Sequence, residues 1–267
     1  LTAVKGTPEG KLDVVPTVSV KDGEVVIVRG GRYERLEDED GKPLEPAFFV
    51  EQVLKQYSKV LLVDINGVED NRPQMGLMKE VADLGEIWVD FGARYAEGII
   101  DILVSGVSAV VLGTKSITGV DQITAAFEMS ENIYLSIDWD KTVMSHSAEL
   151  KHMSPRSLAD IARNIGIEKL LFTDLSRTAA TGSRQQAAGD GHQAEGDGQR
   201  AAGSGQPGNN GLQANKPMQL EIIKELSTGP LPLYVGGGIR EADLEQLKLL
   251  GASGALLSVM SIITEAG

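Results

Sequence analysis

Residues 59–65 read Lys-Val-Leu-Leu-Val-Asp-Ile (KVLLVDI). Four successive apolar residues, Val60–Val63, closed by an acid, form the pattern of a short buried strand, the kind that a parallel sheet uses. Outward from this stretch the same unit recurs. Gln74–Leu84 has helical periodicity, Glu86–Phe91 is the next strand, and Ala96–Ser105 the next helix. Ala109–Leu112, Ile133–Asp138, Lys169–Phe172, Leu233–Val235 and Gly254–Leu257 continue the strands. Val120–Met129, Pro155–Ile165, Met218–Leu226 and Glu241–Leu250 continue the helices. Upstream, Val14–Val20 is a Val-rich strand with a possible hairpin extension at Glu24–Val28. Arg29–Pro46 reads as a long polar loop and Ala47–Tyr57 as a helix. Strict alternation implies parallel pairing through right-handed crossovers. Eight such units in 267 residues favour a closed (β/α)8 barrel, the TIM barrel, spanning 1–267 as one domain and ending in a short final helix.

One segment breaks the rhythm. Residues 179–217 are mostly Gly, Ala, Gln, Asp and Ser, with almost nothing large and apolar. Such a stretch cannot bury enough surface to offset its ordering entropy, so it is expected to be a disordered insertion after the sixth strand. The chain also repeats itself. Asp90-Phe91-Gly92-Ala93-Arg94 is echoed by Gly236-Gly237-Gly238-Ile239-Arg240, and GVSAVVLG (106–113) by GASGALLS (251–258). An echo half a barrel apart implies a two-fold pseudosymmetric barrel with equivalent ligand sites on opposite sides of one mouth.

Composition narrows the function. There are no cysteines, which excludes disulfides and thiolate metal sites. A formal net charge of −13 argues against a nucleic-acid partner. No apolar run approaches the roughly 18 residues of a membrane span. Leu1–Lys11 lacks the pattern of a secretory signal, so a cytoplasmic location is expected. The first residue is Leu, and the true start is expected to be missing or trimmed.

The strongest local motif is Val235–Arg240, where Gly236, Gly237 and Gly238 join a strand to a helix. Glycines there let backbone N–H groups approach an anion closely. The half-barrel partner comprises Gly92 and Arg94 with Gly113 and Thr114, although Asp90 beside it could repel an anion. Ser258, just after the eighth strand, is a further phosphate-binding candidate. Other polar strand ends are Asp64, Asp138, Thr173 and Asp174, and in a barrel such positions are candidate catalysts. Helix capping is the alternative for each acid. His146, His152 and Trp139 are weaker candidates. No residue cluster has metal-ligand spacing, and neither metal nor cofactor is expected.

These motifs, in this order, resemble the ProFAR isomerases of histidine biosynthesis and their sister cyclases. Val15–Gly23 (VPTVSVKDG) is similar to the family's I-P-A-I-D-L-K-D-G, and Val63–Val68 (VDINGV) to its V-D-L-D-G-A. Leu112–Thr114 matches I-G-T, Ser136–Asp138 matches S-L-D, Phe172–Leu175 matches Y-T-D-I, and the triple glycine matches S-G-G. The resemblance implies a substrate with a phosphate at each end and an aldose-to-ketose rearrangement. In the family, two aspartates move the protons. Here Ser19 stands in place of the strand-one Asp, and Thr178 in place of the Asp after strand six. Asp138 and Thr173 match residues that assist. Three readings follow: a divergent sugar-phosphate or ribotide isomerase, with Asp138 and Asp174 in proton transfer; a phospho-ligand-binding or regulatory barrel without the chemistry; and an engineered scaffold.

The insertion yields a direct expectation. Replacing residues 180–215 with a short Gly-Ser link should leave the melting temperature within a few degrees, because lengthening a polar loop costs only about 0.6 kcal/mol per doubling. Loss of cooperative unfolding in the shortened protein would show that the segment is part of the core.

Overall fold

The computed structural model describes residues 11–29, 32–178 and 217–259. Eight strands run parallel: Asp13–Lys21, Lys59–Asp64, Glu86–Asp90, Ala109–Gly113, Ile133–Asp140, Leu170–Asp174, Leu233–Ile239 and Gly254–Ser258. Each pairs with the next, and the eighth pairs with the first, Asp13 opposite Gly254 and Thr17 opposite Ser258. The sheet is therefore a closed (β/α)8 barrel, and closure removes its edges.

Successive side chains of each strand point alternately outward and inward. Outward residues such as Leu62, Val89, Leu135 and Phe172 join helix residues such as Met78 and Ile99 in the main core. Inward residues form a second, smaller core of Val15, Leu61, Trp88, Tyr134, Tyr234 and their neighbours. The helices carry their own stop and start signals. Pro155–Ile165, for example, begins with the Ser154 side chain accepting from the Ser157 amide and ends at Gly166 with φ 110°.

The inner core closes the N-terminal end of the barrel. Trp88, fully buried, meets Tyr134 and Tyr234 edge-on, with ring centroids 5.0 and 5.1 Å away. Around it, Lys59 Nζ lies 2.8 Å from Asp13 Oδ2, the Tyr234 hydroxyl donates to the same carboxylate at 3.0 Å, and Lys169 Nζ donates to the Tyr134 hydroxyl at 2.8 Å. This floor leaves the C-terminal end as the mouth.

The half-barrel echo is structural as well. Gly106 and Gly251 end equivalent helices at φ 97° and 86°, and Gly92 and Gly238 turn after equivalent strands at φ 68° and 64°. Three expectations need correction. The segment read as a long loop contains a strand, Arg32–Arg35, which pairs antiparallel with Glu24–Arg29. Its polar sequence hid it because it is an outlying edge strand with little burial. Short helices at Ile65–Asp70, Ala148–Lys151 and Leu175–Thr178 were invisible, since four to six residues carry no helical period. The helix at Glu241–Leu250 is a 3-10 turn, Glu241–Asp243, leading into Leu244–Leu249. The expected insertion, apart from Pro217, and the final helix lie outside the described residues.

The floor predicts opposite signs for two glycine changes. A Cβ on Gly254 would collide with the Tyr234 ring and come within 2.7 Å of the Asp13 carbonyl oxygen. Gly254→Ala should therefore cost about 1–3 kcal/mol, the usual cost of overpacking. Gly76, in the helix Met75–Ala82, has nothing within 4 Å of its Cβ position. Gly76→Ala should stabilise by about 0.5–1 kcal/mol through helix propensity. Thermal unfolding checks both; a Gly254→Ala protein as stable as the parent would contradict the packing of the floor.

Candidate active site

Strand parity decides which side chains enter the mouth. Val15, Leu61, Trp88, Val111, Tyr134, Leu171, Tyr234 and Leu256 face the interior, so the inward residues further along the same strands are Thr17, Ser19 and Lys21, Val63, Asp90, Gly113, Ser136, Asp138 and Asp140, Thr173, Gly236 and Ser258. Ser19, Val63 and Asp90 are lateral neighbours on adjacent strands, as are Asp138, Thr173 and, through Thr173, Gly236.

At the centre is an ion cluster. Lys115 Nζ lies 2.7 Å from Asp90 Oδ2 and 3.4 Å from Asp138 Oδ1. The Lys115 amide also donates to Asp138 Oδ2 at 3.2 Å. Gly113 makes room for this: a Cβ there would sit 2.8 Å from Asp138 Oδ2 and 3.0 Å from Lys115 Nζ. Thr114 steadies the cluster, its hydroxyl accepting from the Asp138 amide at 2.9 Å. Next to it, the Ser136 and Thr173 hydroxyls share a hydrogen bond of 3.2 Å.

Burial raises the Asp138 carboxyl above its ordinary range; the Lys115 charge works against this, and the negative charge of Asp90 adds to it. Burial also opposes the Lys115 charge, but Asp138 and Asp90 outweigh it and hold the ammonium above its usual range. Two carboxylates thus share one cation. Sequence reasoning missed Lys115 altogether and treated Asp90 only as an obstacle to anions. Lys115 lies two residues beyond Gly113, which ends the fourth strand, a position where a lysine is usually solvated.

The acids that end the second and sixth strands behave differently. Asp64 and Asp174 follow the outward-facing Leu62 and Phe172, so parity turns both away from the barrel axis. Asp64 caps the next helix, accepting from the Gly67 amide at 3.1 Å and from the Gln74 amide at 2.6 Å. Capping, the alternative for that residue, is what the fold uses it for. Asp174 is its half-barrel counterpart. Its Oδ1 accepts from the Ser176 amide at 3.2 Å and the Ser176 hydroxyl at 2.6 Å. Its Oδ2 is buried with no hydrogen-bond partner among the described residues, and burial raises its carboxyl. Trp139 also faces outward and packs near Phe172, ring centroids 6.4 Å apart, while His146 and His152 are exposed. The side chain of Thr178 lies outside what is described.

The triple glycine bends the end of the seventh strand. Gly237 and Gly238 have φ 88° and 64°, and the register with the eighth strand shifts between Val235 and Ile239. A Cβ on Gly237 would collide with the Asp174 backbone, and one on Gly238 would lie 3.3 Å from Arg177 Cβ. Arg177 is itself buried. One of its nitrogens, Nη2, donates to Asp243 Oδ2 at 2.9 Å, while Nε and Nη1 are buried without a partner among the described residues. On the opposite side the Gly92 amide donates to Asp90 Oδ1 at 3.0 Å. The Arg94 guanidinium donates to the carbonyls of Gly67, Gly92 and Val68 at 3.0, 2.6 and 2.9 Å. The two halves of the mouth therefore differ in their placement of cationic groups: among the described residues two Arg177 nitrogens have no partner, while Arg94 braces a turn. Ser258 is exposed at the rim. Among the described residues no group of acids and histidines could hold a metal, and no helix is long and apolar enough to cross a membrane.

Comparison with known proteins agrees with this architecture. The chain is 28% identical over 177 residues to the 1-(5-phosphoribosyl)-5-((5-phosphoribosylamino)methylideneamino)imidazole-4-carboxamide isomerase, or ProFAR isomerase, of Methylococcus capsulatus, covering 63% of this chain and 72% of the relative. With the protein of the same name from Archaeoglobus fulgidus it shares 23% identity over 253 residues, 91% of this chain and 90% of the relative. A thiamine phosphate pyrophosphorylase from Pyrococcus furiosus has the same fold, with TM-score 0.50 and 15% identity over 94% of this chain and 89% of its own. The family described as histidine biosynthesis protein matches residues 13–182. This chain belongs to that family and is a ProFAR-isomerase-like (β/α)8 barrel.

Proposed function

We propose that the protein is a divergent isomerase of phosphorylated sugars or ribotides, working by an aldose-to-ketose proton shift. The observation that carries this reading is Asp138, a carboxylate 1% exposed at the mouth, raised by burial and held by the ammonium and the backbone amide of Lys115. A buried carboxylate with a raised pKa at the C-terminal end of a barrel strand has the properties of a group that takes and returns a proton. The family's relatives are named for an isomerase reaction on a phosphoribosyl compound, which supports the reaction class.

A phosphate group would lie at Gly236, Gly237 and Gly238, where the backbone turns through positive φ and Arg177 supplies positive charge. A second phosphate would lie near Gly92, Arg94, Gly113 and Thr114, and there the charge of Arg94 would act at a distance, through the turn it braces. Thr173, hydrogen-bonded to Ser136, would orient the substrate beside Asp138. Asp174, turned from the axis, would act by shaping the loop under the triple glycine. The absence of a carboxylate at Ser19 favours a second reading, a barrel that binds the phosphorylated ligand and does not turn it over.

Two variants separate these readings. Inorganic phosphate should raise the melting temperature of the parent by mass action, and Gly238→Ala should abolish the rise by crowding the cradle against Arg177. Asp138→Asn should keep the phosphate response and lower turnover by a factor of about 100 to 10,000, measured on ProFAR and on pentose phosphates. A parent that responds to phosphate and turns over none of these substrates would favour the binding reading. No thermal response to phosphate in the parent would count against both.

A further inference from the structure

We propose that Lys115 is a catalytic residue of this mouth, stabilising the oxygen of an enediolate, and that the substrate is a phosphorylated aldose or ketose with a free carbonyl. The inference rests on the isomerase reading above and gives it a substrate class. Three observations carry it. Lys115 occupies the space that Gly113 leaves, so the strand ends in a residue type that admits it. Its ammonium touches both Asp90 and Asp138, two inward-facing carboxylates of this mouth. Its side chain remains 16% exposed, against 7% and 1% for the two acids, so it is the most exposed member of the cluster.

Stability does not account for the arrangement. Buried ion clusters are commonly no better than apolar packing of similar volume, and one cation between two carboxylates leaves a negative charge over. The cluster instead fixes the state of its lysine. An ammonium held by two carboxylates keeps its proton, so it is a poor nucleophile and does not form an imine with a carbonyl. A fixed cation suits a different task, the stabilisation of negative charge that develops on an oxygen during reaction.

The reaction then balances without a co-reactant. Asp138 removes the proton from the carbon next to the carbonyl. The C–H electron pair becomes a carbon–carbon double bond, and the carbonyl π pair moves onto oxygen beside Lys115. The proton of the neighbouring hydroxyl passes to that oxygen. Asp138 returns its proton to the former carbonyl carbon as the neighbouring carbon–oxygen double bond forms. One carbon is oxidised as the other is reduced. An N-glycoside such as a ribotide must first have its ring oxygen protonated. Of the inward positions at the end of the first strand, Thr17 and Ser19 are hydroxyls that do not serve as acids near neutral pH, and the Lys21 ammonium is engaged by Glu69. A free carbonyl avoids that step.

The test uses inorganic phosphate and two phosphorylated hydroxamates that mimic an enediolate, phosphoglycolohydroxamate and its four-carbon homologue. Calorimetry should find the better hydroxamate at least about 100-fold tighter than phosphate on the parent. In Lys115→Met it should weaken by about 100-fold, with phosphate affinity unchanged. Asp90→Asn/Lys115→Met, which leaves fewer buried charges unpaired, should show the same loss in a folded protein. If either variant binds the hydroxamate as the parent does, or loses hydroxamate and phosphate together, the inference is overturned and the isomerase reading stands. A covalent adduct trapped by borohydride from ribulose 5-phosphate at Lys115 would also overturn it, since the amine would then be a nucleophile. If the parent binds neither ligand, both readings fall.

Discussion

In a closed eight-strand barrel every second side chain must point at the axis, and nearly everything about this molecule follows from that constraint. At the N-terminal end the inward positions hold Trp88, Tyr134 and Tyr234, which pack edge to face and seal the interior. At the C-terminal end the same strands supply Asp90, Asp138 and Thr173. The floor excludes water below the mouth, and a lower effective dielectric strengthens the ion cluster above it while raising the cost of any unpaired charge. One parity rule thus builds a dry, aromatic stopper and a polar site on the same eight strands.

Parity also sorts the acids. Asp64, Asp90 and Asp174 end barrel strands, and Asp138 lies two residues before the end of its own. Two face the axis and meet Lys115; two face outward and organise the turn that follows. The outward pair are half-barrel counterparts, and each lies under a close glycine approach: Gly67 is packed against Phe91, and Gly237 against Asp174. The repeat therefore places turn-building acids on both sides, while the ion cluster takes Asp90 and Lys115 from one half of the barrel and Asp138 from the other. A symmetric scaffold carries an asymmetric ion cluster.

The alternation of strands and helices was legible in the sequence because buried parallel strands are continuous apolar runs, as Val60–Val63 shows. The triple glycine and Asp138 were legible from their places at strand ends. Three features were not. The strand Arg32–Arg35 is polar on both faces and carries no apolar pattern. The inward or outward direction of Asp64 and Asp174 depends on a register that a shift of one residue would reverse. Lys115 gave no signal by type, since a lysine just past a strand is usually solvated, and its importance comes from partners 25 and 23 residues away. The braced state of Arg94 is similar: its sequence position suggests an anion ligand, and its contacts with backbone carbonyls are set by the fold.

The family match covers residues 13–182 and includes the strands that supply Asp90, Lys115 and Asp138. The scaffold is therefore the family's, and the mouth of this chain carries a hydroxyl at Ser19 and a lysine bridging two acids. The most direct test of that account is a crystal structure with ribulose 5-phosphate bound. The account predicts the phosphate on the Gly237–Gly238 turn beside Arg177, and the carbonyl oxygen within hydrogen-bonding distance of Lys115 Nζ. A phosphate bound elsewhere on the mouth, with the sugar carbons out of reach of Lys115 and Asp138, would contradict it.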